Sequence, residues 1–181
     1  RRPTATVGSG SAICGNGGFM GPSDPTDPLA IFRVLTRAGV PFLIIGGHAV
    51  SFHGYVRTTE DADVIFQRSP VTEAALLRVL ESIHACWVSN DRDPQTGLER
   101  LVPVSLSYLK AQPLMMLSTD LGFLDLYDYV PGFPETPVEE IFADSIAWDE
   151  LRFVSLPWLR RLKERAARHR DLDDLEHLPP A

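Results

Sequence analysis

An α/β fold of the α+β kind, a single mixed β-sheet with covering helices, follows from three features of the sequence. Two segments, near residues 29–38 and 74–83, repeat apolar residues at helical spacing. A short apolar run at Pro41 to Ile45 ends on the pair Gly46-Gly47 and leads into a helix-compatible stretch. A third stretch, Gly122 to Val130, alternates in the manner of a strand. Helices and strands interleaved in this way bury their apolar faces as one sheet covered by helices.

Taken in chain order, residues 1–26 are rich in Gly, Ser, Thr and Pro and read as a flexible leader, and the folded domain is expected over 27–181. Asp27 followed by Pro28 is a helix start, with Leu29, Phe32, Leu35 and Ala38 as its apolar face and Gly39 as its stop. This helix is expected to pack beneath the sheet. Pro41 to Ile45 reads as a buried strand, the helix after the glycine pair centres on Ala49 to Phe52, and Asp61 to Gln67 reads as a second strand. Ser69-Pro70 opens another helix, whose apolar face is Ala74, Leu77, Val79, Leu80 and Ile83. Asn90 to Gly97 is turn-rich, and Leu101 to Val130 is dominated by strands, with Pro103 and Pro113 at strand ends. Within Gly122 to Val130, Phe123, Asp125, Tyr127 and Tyr129 share one face, whereas Asp128 belongs to the other. Val138 to Ala143 reads as a helix, Ala147 with Leu151 to Val154 as a hairpin, and the run from Ser155 as closing helices.

The chemistry concentrates between Ile44 and Val64. Glycines at a strand-to-helix junction leave backbone N–H groups free to face phosphate oxygens. Asp61 and Asp63 are two apart on an expected strand, so both carboxylates project from one face, where they suit a hard divalent cation. Arg57 has two readings of equal weight, a planar fork for phosphate or a partner for the neighbouring aspartates. Thr59 reads as a local hydrogen-bonder that shapes the loop.

Gly46-Gly47, Gly54, Arg57, Thr59, Asp61 and Asp63 resemble the Gly-Gly…Gly-x-x-Arg-x-Thr-x-Asp-x-Asp signature of small bacterial nucleotidyltransferases in the DNA polymerase β-like superfamily. The nearest likeness is to the branch of AbiEii-type toxins and minimal stand-alone relatives. Leu121-Gly-Phe-Leu-Asp-Leu resembles the strand with that family's third carboxylate and nominates Asp125, and Lys163, Arg168, Asp171 and Asp174 match its Lys-x4-Arg-x2-Asp-x2-Asp-Leu ending. The resemblance implies a polymerase β-like fold and transfer of an NMP from an NTP to an acceptor hydroxyl, with release of pyrophosphate. It implies Mg²⁺ or Mn²⁺ held by Asp61, Asp63 and Asp125, with nucleotide contacts from Gly46, Gly47, Arg57 and Lys163. RNA, protein or a small molecule would be the acceptor, and a toxin–antitoxin partner is among the implied partners. On residues alone, Lys163 is also readable as an ordinary helix-surface lysine, and a catalytically inactive nucleotide- or partner-binding module on the same fold is the alternative function.

Several classes are disfavoured. A formal charge of −7 argues against a broadly basic nucleic-acid coat, and the basic run from Arg160 to Arg170 is locally offset by Glu164 and Asp171 to Asp174. His48 and His53 miss the spacing of two zinc ligands on one helix face; His48 is left open between capping the backbone and touching nucleotide. Cys14 and Cys86 form no Cys-x-x-Cys pair, so neither a structural zinc site nor a disulfide framework is expected, and a reducing cytoplasm is the simpler compartment. No apolar run reaches the ~18 residues of a membrane helix.

Overall fold

The computed structural model describes residues 27–95 and 97–180. The expected leader lies outside them. The elements in order are α1 (Pro28–Arg37), β1 (Phe42–Ile44), α2 (Gly46–Phe52), β2 (Asp61–Phe66), α3 (Pro70–Ser82), β3 (Cys86–Arg92), β4 (Glu99–Pro103) and α4 (Leu106–Ala111). They continue with β5 (Leu114–Thr119), β6 (Gly122–Tyr127), α5 (Val138–Ala143), β7 (Ile146–Trp148), β8 (Leu151–Phe153), α6 (Leu156–Ala166) and α7 (His169–His177). Among the described residues these make one eight-stranded sheet of order β4-β3-β5-β6-β2-β1-β8-β7. The sheet is mixed: β2 pairs with β6 and β1 with β8 in parallel, and the other joints are antiparallel. The α/β class with a single mixed sheet is therefore the one found.

Local chemistry sets most of these boundaries. Asp27 caps α1 by accepting from the Ala30 N–H at 3.2 Å, and Ser69 caps α3 by accepting from the Thr72 N–H at 3.1 Å. As expected, α1 packs on the sheet, against β2 and β6. Its buried face is Ile31, Phe32 and Leu35, with Leu29 exposed, and α3 likewise buries Leu76 where Ala74 had been expected. In both helices a residue on the outer stripe had been read into the inner one. Three other expectations are corrected. α2 begins on the glycine pair itself and not after it. Asn90, Asp91 and Arg92 extend β3, because pairing of Arg92 with Glu99 outweighs their turn composition. The six-residue helix α4, capped by Ser105, lies where strand had been expected, and it is too short to display a period of 3.6.

Two facts of register place the functional face. Ala62, Val64 and Phe66 of β2 and Leu124 and Leu126 of β6 are fully buried and face the core. Their alternates point the other way, with Asp61 opposite Phe123, Asp63 opposite Asp125 and Ile65 opposite Tyr127. Cys86 is buried on β3. Among the described residues no helix is long and apolar enough to cross a membrane.

Candidate active site

β1 ends where its neighbour begins to carry charge. The Ile45 N–H donates to the Asp63 carbonyl at 3.0 Å, and Gly46 turns the chain with φ +62°. A β-carbon at Gly46 would overlap the Asp63 carboxylate, and one at Gly47 would stand 2.5 Å from Thr59 Oγ1 and 3.1 Å from Arg57 Nη1. Both positions therefore require glycine for space, and Gly46 requires it for backbone conformation as well. The first N–H groups of α2 have no partner within their own helix, and this turn lies directly against the acidic strand.

These elements line a cleft of about 240 Å³. At ~30 Å³ per water this is a solvated space and not a packing defect. Gly46, Gly47, Arg57, Thr59, Asp61, Asp63 and Asp125 form its polar side. Tyr127, Pro131 and Ile45, with Leu159, Leu162 and Ala166 of α6, form its apolar part. Lys163, Arg168, Arg170 and Asp171 complete the lining. The seven residues to which the resemblance gives a metal or nucleotide contact, Gly46, Gly47, Arg57, Asp61, Asp63, Asp125 and Lys163, all border this one cleft. Asp128 does not; its carboxylate accepts from Arg68 Nε at 2.6 Å.

Two of the seven have partners that the sequence did not disclose. The Arg57 fork closes on Asp174, with Nε and Nη2 donating at 2.6 and 2.9 Å, and not on Asp61 or Asp63. Lys163 is no surface lysine. Only 5% exposed, it donates to Asp171 at 2.9 Å and to Asp174 at 2.7 Å. Arg168 Nε adds a contact of 2.6 Å to Asp171. Burial works to raise the Asp171 and Asp174 carboxyls, but hydrogen bonds from Arg168 and Lys163 to the first, and from Arg57 and Lys163 to the second, hold both below the ordinary aspartate value.

Tyr127 was not singled out as a site residue, although the period-two pattern had put it on the face of Asp125. Burial, then the charges of Asp125 and Asp63, push its phenol far upward, so its hydroxyl stays protonated and is a donor beside groups that only accept. His48 does not line the cleft. It stands edge-on to Phe32 with ring centroids 5.2 Å apart, and burial, then Arg57, lowers its pKa, which keeps the ring neutral.

The donor set suits a hard cation. Asp61, Asp63 and Asp125 are all-oxygen ligands, and the last two are direct neighbours on parallel strands. Among the described residues, however, no three His, Cys, Asp or Glu side chains converge into a ready-made metal group.

No protein-family model and no curated protein matches the sequence. Similar solved structures include an antigenic nucleotidyltransferase-like protein from Paracoccidioides brasiliensis, at 16% identity and a TM-score of 0.46 over 82% of this chain and 71% of that one. Another is JHP933 from Helicobacter pylori, at 17% identity and a TM-score of 0.39 over 81% of this chain; the match spans 62% of JHP933, under two thirds of its length.

Proposed function

We propose that the protein is a nucleotidyltransferase of the polymerase β-like kind, moving an NMP from an NTP to an acceptor hydroxyl. The observation that carries this reading is the register of Asp63 directly opposite Asp125, beneath a glycine turn that has no room for a side chain. Asp61, Asp63 and Asp125 would hold Mg²⁺ or Mn²⁺, which when bound neutralises charge on the phosphate oxygens. The backbone at Gly46 and Gly47 cradles the phosphates. The acceptor oxygen forms a bond to the α-phosphorus, the bond from that phosphorus to the β-phosphate oxygen breaks, and pyrophosphate leaves with the electron pair. Asp125 would take the acceptor's proton. Tyr127 offers its hydroxyl as a donor, and the apolar part of the lining excludes water there. A toxin–antitoxin setting is part of the proposal only through the resemblance of the sequence motifs.

The test is transfer of α-³²P label from each of the four NTPs, with Mg²⁺ or Mn²⁺, into total RNA and cellular protein. Asp61→Asn and Asp63→Asn serve as controls of nearly unchanged volume. Label that disappears in both variants while their folds persist is the expected outcome. One observation favours the second reading, a nucleotide- or partner-binding module: Lys163 and Arg57, the cations expected to meet phosphate, are already engaged by Asp171 and Asp174. That reading prevails if NTP binds and no label is transferred by any form of the protein.

A further inference from the structure

Helix α7 uses one continuous stripe to grip the loop that delivers the acidic strand. Arg170 Nη2 donates to the Thr58 carbonyl at 2.8 Å, Asp173 accepts from the Tyr55 hydroxyl at 3.0 Å, Asp174 takes the Arg57 fork, and the His177 ring stacks on Tyr55 with centroids 4.3 Å apart. These positions recur at i, i+3, i+4 and i+7, the spacing of a single helix face. Residues 56–59 make no backbone-to-backbone hydrogen bond among the described residues, and Gly54 enters the loop at φ +104°.

Among these contacts Asp174 is singular. It is fully buried, it holds Arg57 bidentately, and it also accepts from Lys163 of α6. One carboxylate thus ties the loop to both closing helices. Buried ion networks are poor sources of net stability, and in some proteins they fix register instead.

Resting on the nucleotidyltransferase reading above, we propose that Asp174 is a positioning residue of the active site, acting through Arg57 to fix the loop that sets Asp61 and Asp63 against Asp125. Arg57 and Lys163 then serve chiefly as the two struts of this clasp. The phosphate cradle at Gly46 and Gly47 is anchored to β2 through the Ile45 N–H, and only its second glycine abuts the loop, at Arg57 and Thr59. Loss of the clasp is therefore expected to disturb turnover more than nucleotide affinity.

The experiment compares wild type, Asp174→Asn and Tyr55→Phe by steady-state transfer from the preferred NTP and by hydrogen exchange of the amides at 55–60. For Asp174→Asn, kcat is expected to fall on the order of 100-fold, the scale of a small misplacement of reacting groups, with KM for the NTP within about threefold of wild type. The loop amides are expected to exchange faster while those of β1 and β6 keep their rates. Unchanged kcat, or a raised KM at constant kcat, overturns the proposal. If Asp174→Asn loosens the whole protein, Tyr55→Phe decides: it removes only the bond to Asp173, and a kcat equal to wild type overturns the clasp. If wild type transfers no label, the nucleotidyltransferase reading fails separately, and loop exchange still judges the clasp. Loop amides of Asp174→Asn as slow as wild type would sink it.

Discussion

At Gly46 an added methyl group would run into the Asp63 carboxylate, whereas at Gly39, with a similar φ of +68°, it would meet nothing within 4 Å. This pair separates backbone strain from steric approach. Gly39→Ala is expected to cost the strain alone, about 1–3 kcal/mol for a non-glycine residue in the left-handed region. Gly46→Ala should cost more, measured by urea denaturation, and equal costs would show that Gly46 does not approach Asp63 closely. The glycine pair and the two aspartates were readable from sequence because their significance is local: a turn needs glycine, and a spacing of two puts carboxylates on one face. The environment of Lys163 was not readable. It sits on a helix whose own pattern leaves it among arginines, and its carboxylate partners come from the next helix, beyond a left-handed turn at Ala167.

At the scale of elements, α6 and α7 are joined by charge as much as by apolar contact, and this gives the joint a pH dependence. Asp171 and Asp174 have folded pKa values below those of an unfolded aspartate, burial being outweighed by their hydrogen bonds to Lys163, Arg168 and Arg57. Their contribution to stability is thus fully present above the unfolded value of about 3.9 and is lost as pH falls through the lower folded values. Denaturation midpoints measured from neutral pH down to about pH 3 should fall in acid for wild type. Asp171→Asn should show a shallower acid slope; an identical slope would remove Asp171 from the effect. The closing helices could be read from sequence, but the target of α7, a loop more than a hundred residues earlier, could not. The faces of α1 and α3 were misread by a single position. Periodicity finds a helix more securely than it finds which stripe meets the sheet, since several apolar residues compete and only packing chooses among them.

Across the whole molecule, the carboxylate-bearing strands β2 and β6 lie side by side within the sheet, flanked by β5 and β1 and covered by α1. The sheet ends in short strands: all three residues of β7 are exposed, and β4, partly exposed, forms the other edge. Native-state hydrogen exchange is therefore expected to be slowest in β2 and β6 and fastest in β7 and β4, because openings begin where few buried contacts must break. Amides of β7 protected as strongly as those of β6 would contradict this architecture. By itself the sequence determined that strands and helices alternate around one mixed sheet, where the glycine turn falls, and which face of each strand carries Asp61, Asp63 and Asp125, since all of these follow from spacing along a few residues. Only the tertiary structure decided that β2 and β6 are parallel neighbours with Asp63 against Asp125, that Arg57 and Lys163 are gripped by Asp174, and that α7 holds the loop before the acidic strand. Those are pairings between distant segments, and the sheet order and helix docking that create them are set by burial over the whole core, which no local pattern encodes.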